Sequence, residues 1–228
     1  MQNNTKNLHL RPLRSEFHSL LQHSTAGQGM QKLLDDYRFS SVLDVGCGAG
    51  WHSNILSEHG KNVVAIDYAK HPKLNMTPNA GSIVHHIIDF MAYEVKKPFD
   101  CVWCAHVLEH QLNPHDFILK LKYSVKEQGV IAITVPPLKH HIVGGHVSLW
   151  NGGLLLYHLV LAGLDCSHAA ILRYGYNISI ILQRKDIQVP VKLRFSNGDL
   201  ETLAPFMPSF VQQGFDGNIN CHNWYKDY

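Results

Sequence analysis

Long apolar runs are missing from the sequence. No uninterrupted hydrophobic stretch reaches the ~18 residues that a membrane-spanning helix needs. The opening residues, MQNNTKNLHLRPLR, also lack the apolar centre of a secretory signal. The sequence therefore predicts no membrane span, and we expect a cytoplasmic location.

An excess of charge of either sign is also absent. The 228 residues include 20 Lys and Arg against 18 Asp and Glu, which gives a net charge of +2. A protein that binds DNA or RNA gains much of its affinity from basic residues gathered against phosphates. The composition therefore does not favour a nucleic-acid partner, whereas the apolar fraction of 45% is ample for a packed core.

Cysteine is scarce, and its five residues are spread along the chain, which argues against a disulfide framework. Cys101 and Cys104 do form a C-x-x-C pair within FDCVWCAHV. If this segment is a strand, residues three positions apart point to opposite faces of the sheet. The pair then cannot share a metal ion or close a bridge, and we expect both cysteines to be packing residues.

Short apolar, β-branched segments alternate with helical or loop segments from residue 41 onward. The predicted strands are SVLDV, NVVAID, SIVHHIID, DCVWCAHV and GVIAITV. Such alternation predicts an α/β protein whose parallel sheet carries helices on both faces. Two later runs, HAAILRYG and YNISIILQRK, predict an antiparallel hairpin.

The chain divides into three parts by composition. Residues 1–40 hold two helix-like segments, RSEFHSLLQHS and QGMQKLLDDYRF, which we predict to form a helical cap hinged at TAGQG. Residues 41–185 hold the predicted sheet. Residues 186–228 contain three prolines and no sustained periodicity, which predicts an extension of loops and short elements.

The stretch LDVGCGAGWH places Gly46, Gly48 and Gly50 directly after the first predicted strand. A glycine-rich turn before a helix lets a ligand approach the backbone, and the free amides at the helix start attract a negative group. The dinucleotide fingerprint G-x-G-x-x-G needs its third glycine where this chain has Trp51. The pattern therefore argues against a nicotinamide cofactor.

Two acidic residues close later strands. Asp67 ends NVVAID, and Asp89 ends SIVHHIID with Phe90 directly after it. Open parallel sheets bind ligands at the carboxyl ends of their strands, so both acids should face the glycine turn across one crevice. A carboxylate can accept two hydrogen bonds from a ribose diol. Taken singly, each Asp could equally be a cap or turn residue.

The run D-x-G-x-G-x-G, the two strand-end acids and CAHVLEH together resemble the class I S-adenosylmethionine-dependent methyltransferases. The resemblance covers about residues 41–185, and GGHVSLW with the later LAGLD is similar to the small-molecule and glycan-modifying branch. It implies a Rossmann-like, doubly wound sheet of seven strands, mostly parallel, and S-adenosylmethionine as cofactor. The cofactor-binding residues that it implies are Asp44, Gly46, Cys47, Gly48, Gly50, Asp67, Tyr68, Asp89, Phe90 and His106.

Two histidines are the predicted catalytic residues. A sulfonium methyl group is already activated, so the protein must mainly orient the acceptor, and a histidine near neutral pKa can take a proton from a hydroxyl. His106 ends the fourth predicted strand, and His146 lies in the loop after the fifth. Either could instead be a hydrogen-bonded loop histidine. No metal site is expected in KHHIVGGH, because His140 and His141 are adjacent and no carboxylate lies at ligand spacing.

The resemblance implies an enzyme that methylates an oxygen of a small molecule, or of a glycan or lipid-linked acceptor. The Pro136–Pro137 pair follows the fifth predicted strand, not the fourth as in many enzymes that methylate base or amide nitrogens. Two alternatives stay open: a subunit that binds S-adenosylmethionine without turnover, and a nicotinamide-dependent oxidoreductase. A homodimer is one expectation for the assembly.

Overall fold

A computed structural model describes residues 25–78 and 80–225 of the chain. The helices are α1 (Gly27–Asp36), α2 (Trp51–Glu58), α3 (Pro114–Ser124), α4 (Gly152–Leu161) and α5 (Asp199–Leu203). The strands are β1 (Ser41–Val45), β2 (Asn62–Asp67), β3 (Ser82–Ile87), β4 (Phe99–Ala105), β5 (Val125–Val135), β6 (Ala170–Tyr174), β7 (Asn177–Gln183) and β8 (Cys221–His222). The predicted helix RSEFHSLLQHS lies outside the described residues.

All eight strands form one sheet in the order β3-β2-β1-β4-β5-β7-β6-β8. Every pair from β3 to β5 is parallel, and the pairs from β5 to β8 are antiparallel. The predicted doubly wound α/β sheet, mostly parallel with an antiparallel hairpin near the carboxyl end, is confirmed. Within residues 25–78 and 80–225, no helix is both long and apolar enough to span a membrane.

The strand count differs from the seven expected. The eighth strand comes from the C-terminal extension, where Cys221 and His222 pair antiparallel with Leu172 and Ile171. Two residues are too few to show the alternation of apolar and polar side chains that marks a strand in a sequence. The extension therefore adds an edge to the sheet.

The start of β5 also differs from the prediction, which began this strand at Gly129. The helix ends at Ser124, and Val125 already pairs with Phe99. The ladder is then irregular before its regular pairing resumes with Cys101 and Val130, and Gln128 in between has a left-handed φ of 61°. Because of this irregularity at the start of β5, the chain passes directly from helix to strand without a separate loop.

Local sequence fixes where two of the helices begin. The Asn113 side chain accepts a hydrogen bond from the Asp116 amide, and Pro114 occupies the first turn of α3, where its missing amide hydrogen costs nothing. Asn151 caps α4 by accepting from the Leu154 amide at 2.7 Å. These caps hold the loops that lead from the sheet into α3 and α4.

The core lies on both faces of the sheet, and β4 supplies side chains to each. Cys101 and Trp103 pack with α1 and α2, whereas Val102 and Cys104 pack with α3 and α4. Both cysteines are buried free thiols on opposite faces. The prediction that the C-x-x-C pair serves packing is thus confirmed.

Helix α1 is tied to the sheet by a buried hydroxyl network. The Tyr174 hydroxyl accepts a hydrogen bond from the Gly29 amide at 2.9 Å and lies 2.9 Å from Ser179 Oγ. Ser179 Oγ in turn lies 2.7 Å from Thr134 Oγ1. The network joins α1 to β5, β6 and β7, so α1 is held against the sheet.

Replacing Tyr174 with Phe should therefore destabilise the protein. The change leaves the Gly29 amide without its acceptor in a part-buried place, which costs about 1 to 3 kcal/mol. Urea denaturation of both proteins measures the difference. Tyr123→Phe, at a residue that is 59% exposed, is the matched control and should change the free energy of unfolding by less than about 0.5 kcal/mol. Equal stability of the two variants would contradict the role given to the network.

Candidate active site

A crevice of about 900 Å³ opens at the carboxyl ends of β1 to β4. The chain passes from β1 to β2 and β3 on one side and then crosses to β4 and β5 on the other, so the strand order reverses at this point. Such a reversal leaves a gap between adjacent crossover connections, where open α/β sheets bind their ligands. Seven predicted site residues line the crevice: Gly46, Gly48, Asp67, Tyr68, Asp89, Phe90 and His106.

The glycine turn after β1 leaves its backbone bare towards this space. Gly46 and Gly48 have left-handed φ angles of 76° and 52°. A Cβ on Gly46 would lie 2.1 Å from Val107 Cγ2, whereas a Cβ on Gly48 would meet nothing within 4 Å. The first glycine is thus required by close packing and the second by backbone conformation, and together they keep the crevice open at this wall.

Asp67 joins the end of β2 to the glycine turn. Its Oδ2 accepts a hydrogen bond from the Gly48 amide at 2.8 Å, and its Oδ1 accepts one from the Ala69 amide at 3.3 Å. The amides of Gly46 and Cys47 donate to the Ile66 carbonyl just before it. The carboxylate is therefore held in a fixed position in the crevice wall.

Asp89 and Phe90 form the wall after β3. The Asp89 carboxylate accepts a hydrogen bond from the Met91 amide at 2.8 Å and so caps a short 3₁₀ turn. A capping role was one of the two alternatives that the sequence left open for this residue. Phe90 is buried and meets Phe117 edge to face at 5.2 Å, and both rings line the crevice. A flat apolar group of a ligand could pack against these aromatic rings. Tyr68 stands exposed at the rim.

Three other predicted cofactor residues do not line the crevice. Gly50 has a left-handed φ of 85° and precedes α2, and a Cβ there would lie 2.7 Å from Met76 Cγ. Cys47 is buried, and burial together with the nearby Asp44 and Asp67 raises the pKa of its thiol to about 12, so it stays protonated. Cys47 and Gly50 therefore belong to the glycine turn but do not line the crevice.

Asp44 is the third of these residues, and it is a buried acid. It is 1% exposed and accepts a hydrogen bond from Ser53 Oγ at 2.6 Å. Burial raises the pKa of its carboxyl to about 7, with the Ser53 hydrogen bond acting against this and the negative charge of Asp67 adding to it. The group is therefore partly neutral at neutral pH, and a cation in the crevice would favour its ionised form.

His106 stands at the carboxyl end of β4 with a left-handed φ of 56°, which is unusual for a residue other than glycine. Its Nε2 lies 2.9 Å from Asn177 Oδ1, an oxygen that also accepts from the Ala26 amide, so Nε2 must carry the proton. Its Nδ1 lies 3.2 Å from Oε1 of Glu109. Burial lowers the His106 pKa, but the contacts with Glu109 and Asn177 outweigh burial and raise it overall.

Both ring nitrogens of His106 thus face oxygen atoms. In this arrangement neither is free to take a proton from an acceptor, and His106 connects β4 to β7 and to the start of α1. Its predicted use as a base requires one of these contacts to open, and that use stays a prediction.

His146 borders a smaller cavity beside the crevice, together with Pro136, Trp150 and Tyr176. Its ring meets that of His110 edge to face at 5.0 Å, and His110 lines the crevice itself. Of the two predicted catalytic histidines, His106 therefore lines the crevice, whereas His146 lines the smaller cavity.

No role was assigned to Glu109 or His110 from the sequence. Glu109 is fully buried. The structure brings Glu109, His110 and His146 together, with one ligand atom of each within 4.8 Å of the others. The VLEH segment marked the first two residues, but no sequence spacing connects them to His146.

Comparison with known proteins identifies the class. Residues 17–170, well over half of the chain, match the family described as a methyltransferase domain. The chain belongs to this family, and the membership predicted from the motifs is confirmed.

Curated relatives share a part of the chain. It is similar to the ubiquinone biosynthesis O-methyltransferase of Rickettsia conorii, with 29% identity over 153 residues that cover 56% of this chain and 53% of the relative. It is also similar to the mitochondrial ubiquinone biosynthesis O-methyltransferase of Schizosaccharomyces pombe, with 30% identity over 102 residues that cover 41% of this chain and 36% of the relative. The chain thus spans about half or less of the length of these relatives.

Solved structures share the fold. A 1,6-didemethyltoxoflavin-N1-methyltransferase from Burkholderia thailandensis, bound to 1,6-didemethyltoxoflavin and S-adenosylhomocysteine, superposes with a TM-score of 0.58 at 14% identity, covering 72% of this chain and 80% of that one. The N-methyltransferase NodS from Bradyrhizobium japonicum, in complex with S-adenosylhomocysteine, gives 0.56 at 16% identity, covering 81% and 94%. At these identities the likeness establishes the architecture alone.

The buried Asp44 predicts a pH-dependent effect of its replacement. Because its folded pKa of about 7 lies above the unfolded value, Asp44 lowers stability progressively as pH rises from about 4 to 7. Asp44→Asn should therefore gain stability relative to the unaltered protein by about 2 kcal/mol more at pH 8 than at pH 5. Urea denaturation at both pH values measures this difference.

The exposed Asp35 offers a control for this experiment. Asp35→Asn should change the free energy of unfolding by less than about 0.5 kcal/mol at either pH. A relative stability of Asp44→Asn that is the same at pH 5 and pH 8 would show that Asp44 does not titrate in this range.

Proposed function

We propose that the chain is an S-adenosylmethionine-dependent methyltransferase that acts on an oxygen of a small molecule. The observation that carries this proposal is the crevice at the strand-order reversal, where a bare glycine turn, the Asp67 carboxylate and the Phe90 ring line one space. Family membership supports methyl transfer. The names of the curated relatives support oxygen as the methylated atom, whereas the two solved neighbours are N-methyltransferases.

The residues of the crevice fit an adenosyl amino acid. Asp67 would hold the ribose hydroxyls, Asp89 would meet the adenine amino group, and Phe90 offers a surface for the adenine ring. The backbone of Gly46 and Gly48 leaves room for the amino-acid end, because neither glycine fills the space with a side chain. When bound, S-adenosylmethionine supplies a methyl group that its sulfonium has already activated.

The remaining side of the crevice is proposed to take the acceptor. His106, His110 and Gly145 line it there, and His146 stands just behind Gly145. The wall on this side comes from β4 and from the loop after β5, so two separate elements fix the distance between acceptor and cofactor. Such fixed placement and the exclusion of water are the main demands of methyl transfer from a sulfonium.

Three finer statements belong to this proposal as well. A glycan or lipid-linked unit is an alternative acceptor, a homodimer is the expected assembly, and the location is expected to be cytoplasmic. Each rests on the sequence and on the resemblance to small-molecule and glycan-modifying methyltransferases.

Removing the Asp67 carboxylate should weaken cofactor binding. Asp67→Ala removes the proposed acceptor of the ribose hydrogen bonds and also the anchor of the Gly48 amide. Calorimetric titration with S-adenosylhomocysteine should show an affinity lower by about 10- to 100-fold. Asp35→Ala, on the exposed side of α1, should bind as the unaltered protein does. Equal affinities for the two variants would exclude the assigned role of Asp67.

Turnover is tested with a labelled methyl group. The chain is incubated with S-adenosylmethionine that carries a labelled methyl group and with a fractionated extract of small metabolites and glycans. We expect a labelled methyl ether in a small-molecule fraction. Asp67→Ala should yield far less at the same cofactor concentration, since it binds the donor weakly. If S-adenosylhomocysteine binds but label reaches no fraction, the chain is a binding subunit without turnover, and the enzymatic proposal fails.

A further inference from the structure

A separate cavity of about 470 Å³ lies between α4 and the C-terminal extension. It shares no lining residue with the crevice at the carboxyl ends of the parallel strands. Its volume is within the ordinary range of small-molecule sites in proteins. The cavity is therefore a candidate binding site in its own right, and it does not depend on the proposed methyl transfer.

The walls of this cavity are mainly apolar and aromatic. Helix α4 contributes Leu154 and Tyr157, which are three residues apart and so lie on the same face of the helix. The extension contributes Val211 and Phe215 from the segment after α5, and Phe195, which is 78% exposed, stands at the mouth. A ligand with a flat apolar body can pack against these side chains.

The extension is fixed against α4 by close contacts at two glycines. The Gly153 amide donates a hydrogen bond to the Gly217 carbonyl at 3.0 Å. A Cβ on Gly153 would lie 2.8 Å from Phe215 Cε1. A Cβ on Gly217 would lie 2.4 Å from Asn151 Nδ2. Both glycines are thus required by close packing, so the fold itself sets the position of the Phe215 ring in the cavity wall.

The cavity wall also holds the buried carboxylate of Asp199, which is 6% exposed. Both of its oxygens accept hydrogen bonds from the Arg194 amide at 3.1 Å, and Oδ2 accepts another from the Ser196 amide at 3.3 Å. Over residues 25–78 and 80–225, no Lys, Arg or His side chain forms an ion pair with Asp199. Neutral amides therefore hold this carboxylate in place, and those residues bring no positive charge to it.

Two further groups extend the negative character of the cavity. Burial raises the pKa of the Tyr157 hydroxyl, and the charge of Asp199 adds to this rise, so the hydroxyl lies in the field of that carboxylate. Asp216 also lines the cavity, and its hydrogen bonds from Asn218 lower the pKa of its carboxyl. Asp216 is therefore ionised at neutral pH, and no described Lys, Arg or His pairs with it. The cavity attracts a cationic ligand and repels an anionic one.

We propose that this cavity binds a small organic cation, in which an ammonium group is joined to a flat apolar body. The apolar body packs against Leu154, Tyr157 and Phe215. The ammonium group lies beside the Asp199 carboxylate. Carboxylates and aromatic faces are the groups that attract an ammonium ion in a partly buried site. No residue that lines the crevice takes part in this binding.

The experiment compares probes that share a shape and differ in charge: 2-phenylethylammonium, 2-phenylethanol and phenylacetate. Each is titrated with the full chain, and binding is followed by ligand-observed NMR. We expect 2-phenylethylammonium to bind roughly tenfold more tightly than 2-phenylethanol, because only the ammonium group gains the contact with the carboxylate and the rings. Phenylacetate should bind most weakly. Equal affinities for the ammonium ion and the alcohol would overturn the inference.

Variants of the cavity wall locate the binding. Asp199→Asn should lower the affinity for 2-phenylethylammonium to about that for 2-phenylethanol and leave the affinity for the alcohol unchanged. Glu201→Gln is the matched control on the same helix, because Glu201 is exposed and does not line the cavity, and it should keep the preference for the cation. A preference for the cation that survives Asp199→Asn would overturn the inference.

A second variant avoids the buried carboxylate. Leu154→Trp places a larger side chain in the cavity and should weaken the binding of both 2-phenylethylammonium and 2-phenylethanol. Leu154 is 39% exposed, so this variant is expected to fold even if replacement of Asp199 is not tolerated. Undiminished affinity of Leu154→Trp for the cation would show that the cation binds elsewhere and would overturn the inference.

Competition with S-adenosylhomocysteine separates this site from the crevice. A saturating concentration should leave the binding of 2-phenylethylammonium unchanged, because the cavity and the crevice share no lining residue. Displacement of the cation would place it in the crevice and overturn this inference alone. Failure of S-adenosylhomocysteine itself to bind would overturn the proposed function and leave the cation site, as judged with Leu154→Trp, in place.

Discussion

The hydrogen bond from the Gly48 amide to the Asp67 carboxylate is the interaction on which the site depends. It joins the turn after β1 to the end of β2, and the amides of Gly46 and Cys47 reinforce it by donating to Ile66. A bare turn of glycines would otherwise be mobile, because glycine has the largest conformational freedom to lose. Held in this way, the turn keeps its backbone open to the crevice and fixes a carboxylate beside it.

The two sides of the crevice differ in charge. On one side Asp67 lies near the buried Asp44, whose pKa is raised to about 7 by burial and further by the charge of Asp67. On the other side His106 and His110 surround the single buried carboxylate of Glu109. A positively charged sulfonium ligand suits the acidic side, and an anionic oxygen suits the histidine side. The polarity of the site therefore matches the direction of methyl transfer proposed for it.

Periodicity and the rule that ligands bind at strand ends account for what the sequence could predict. The β-branched runs located the parallel strands, and Asp67 and Asp89, expected at one crevice with the glycine turn, both line it. The two-residue strand β8 is too short to show periodicity. Asp44 and Gly50 do not line the crevice, because the backbone geometry of the turn, and not the sequence pattern, sets which residues face it. The meeting of Glu109 with His146 depends on how a distant loop folds back, which no local spacing encodes.

That S-adenosylmethionine lies along the glycine turn, with Asp67 holding its ribose, is tested most directly by a crystal structure grown with S-adenosylhomocysteine. We expect the adenosyl group in the crevice, both ribose hydroxyls within hydrogen-bond distance of the Asp67 carboxylate, and the adenine against Phe90. A crevice that stays empty at saturating ligand, or a ribose turned away from Asp67, would contradict this placement and the function built on it.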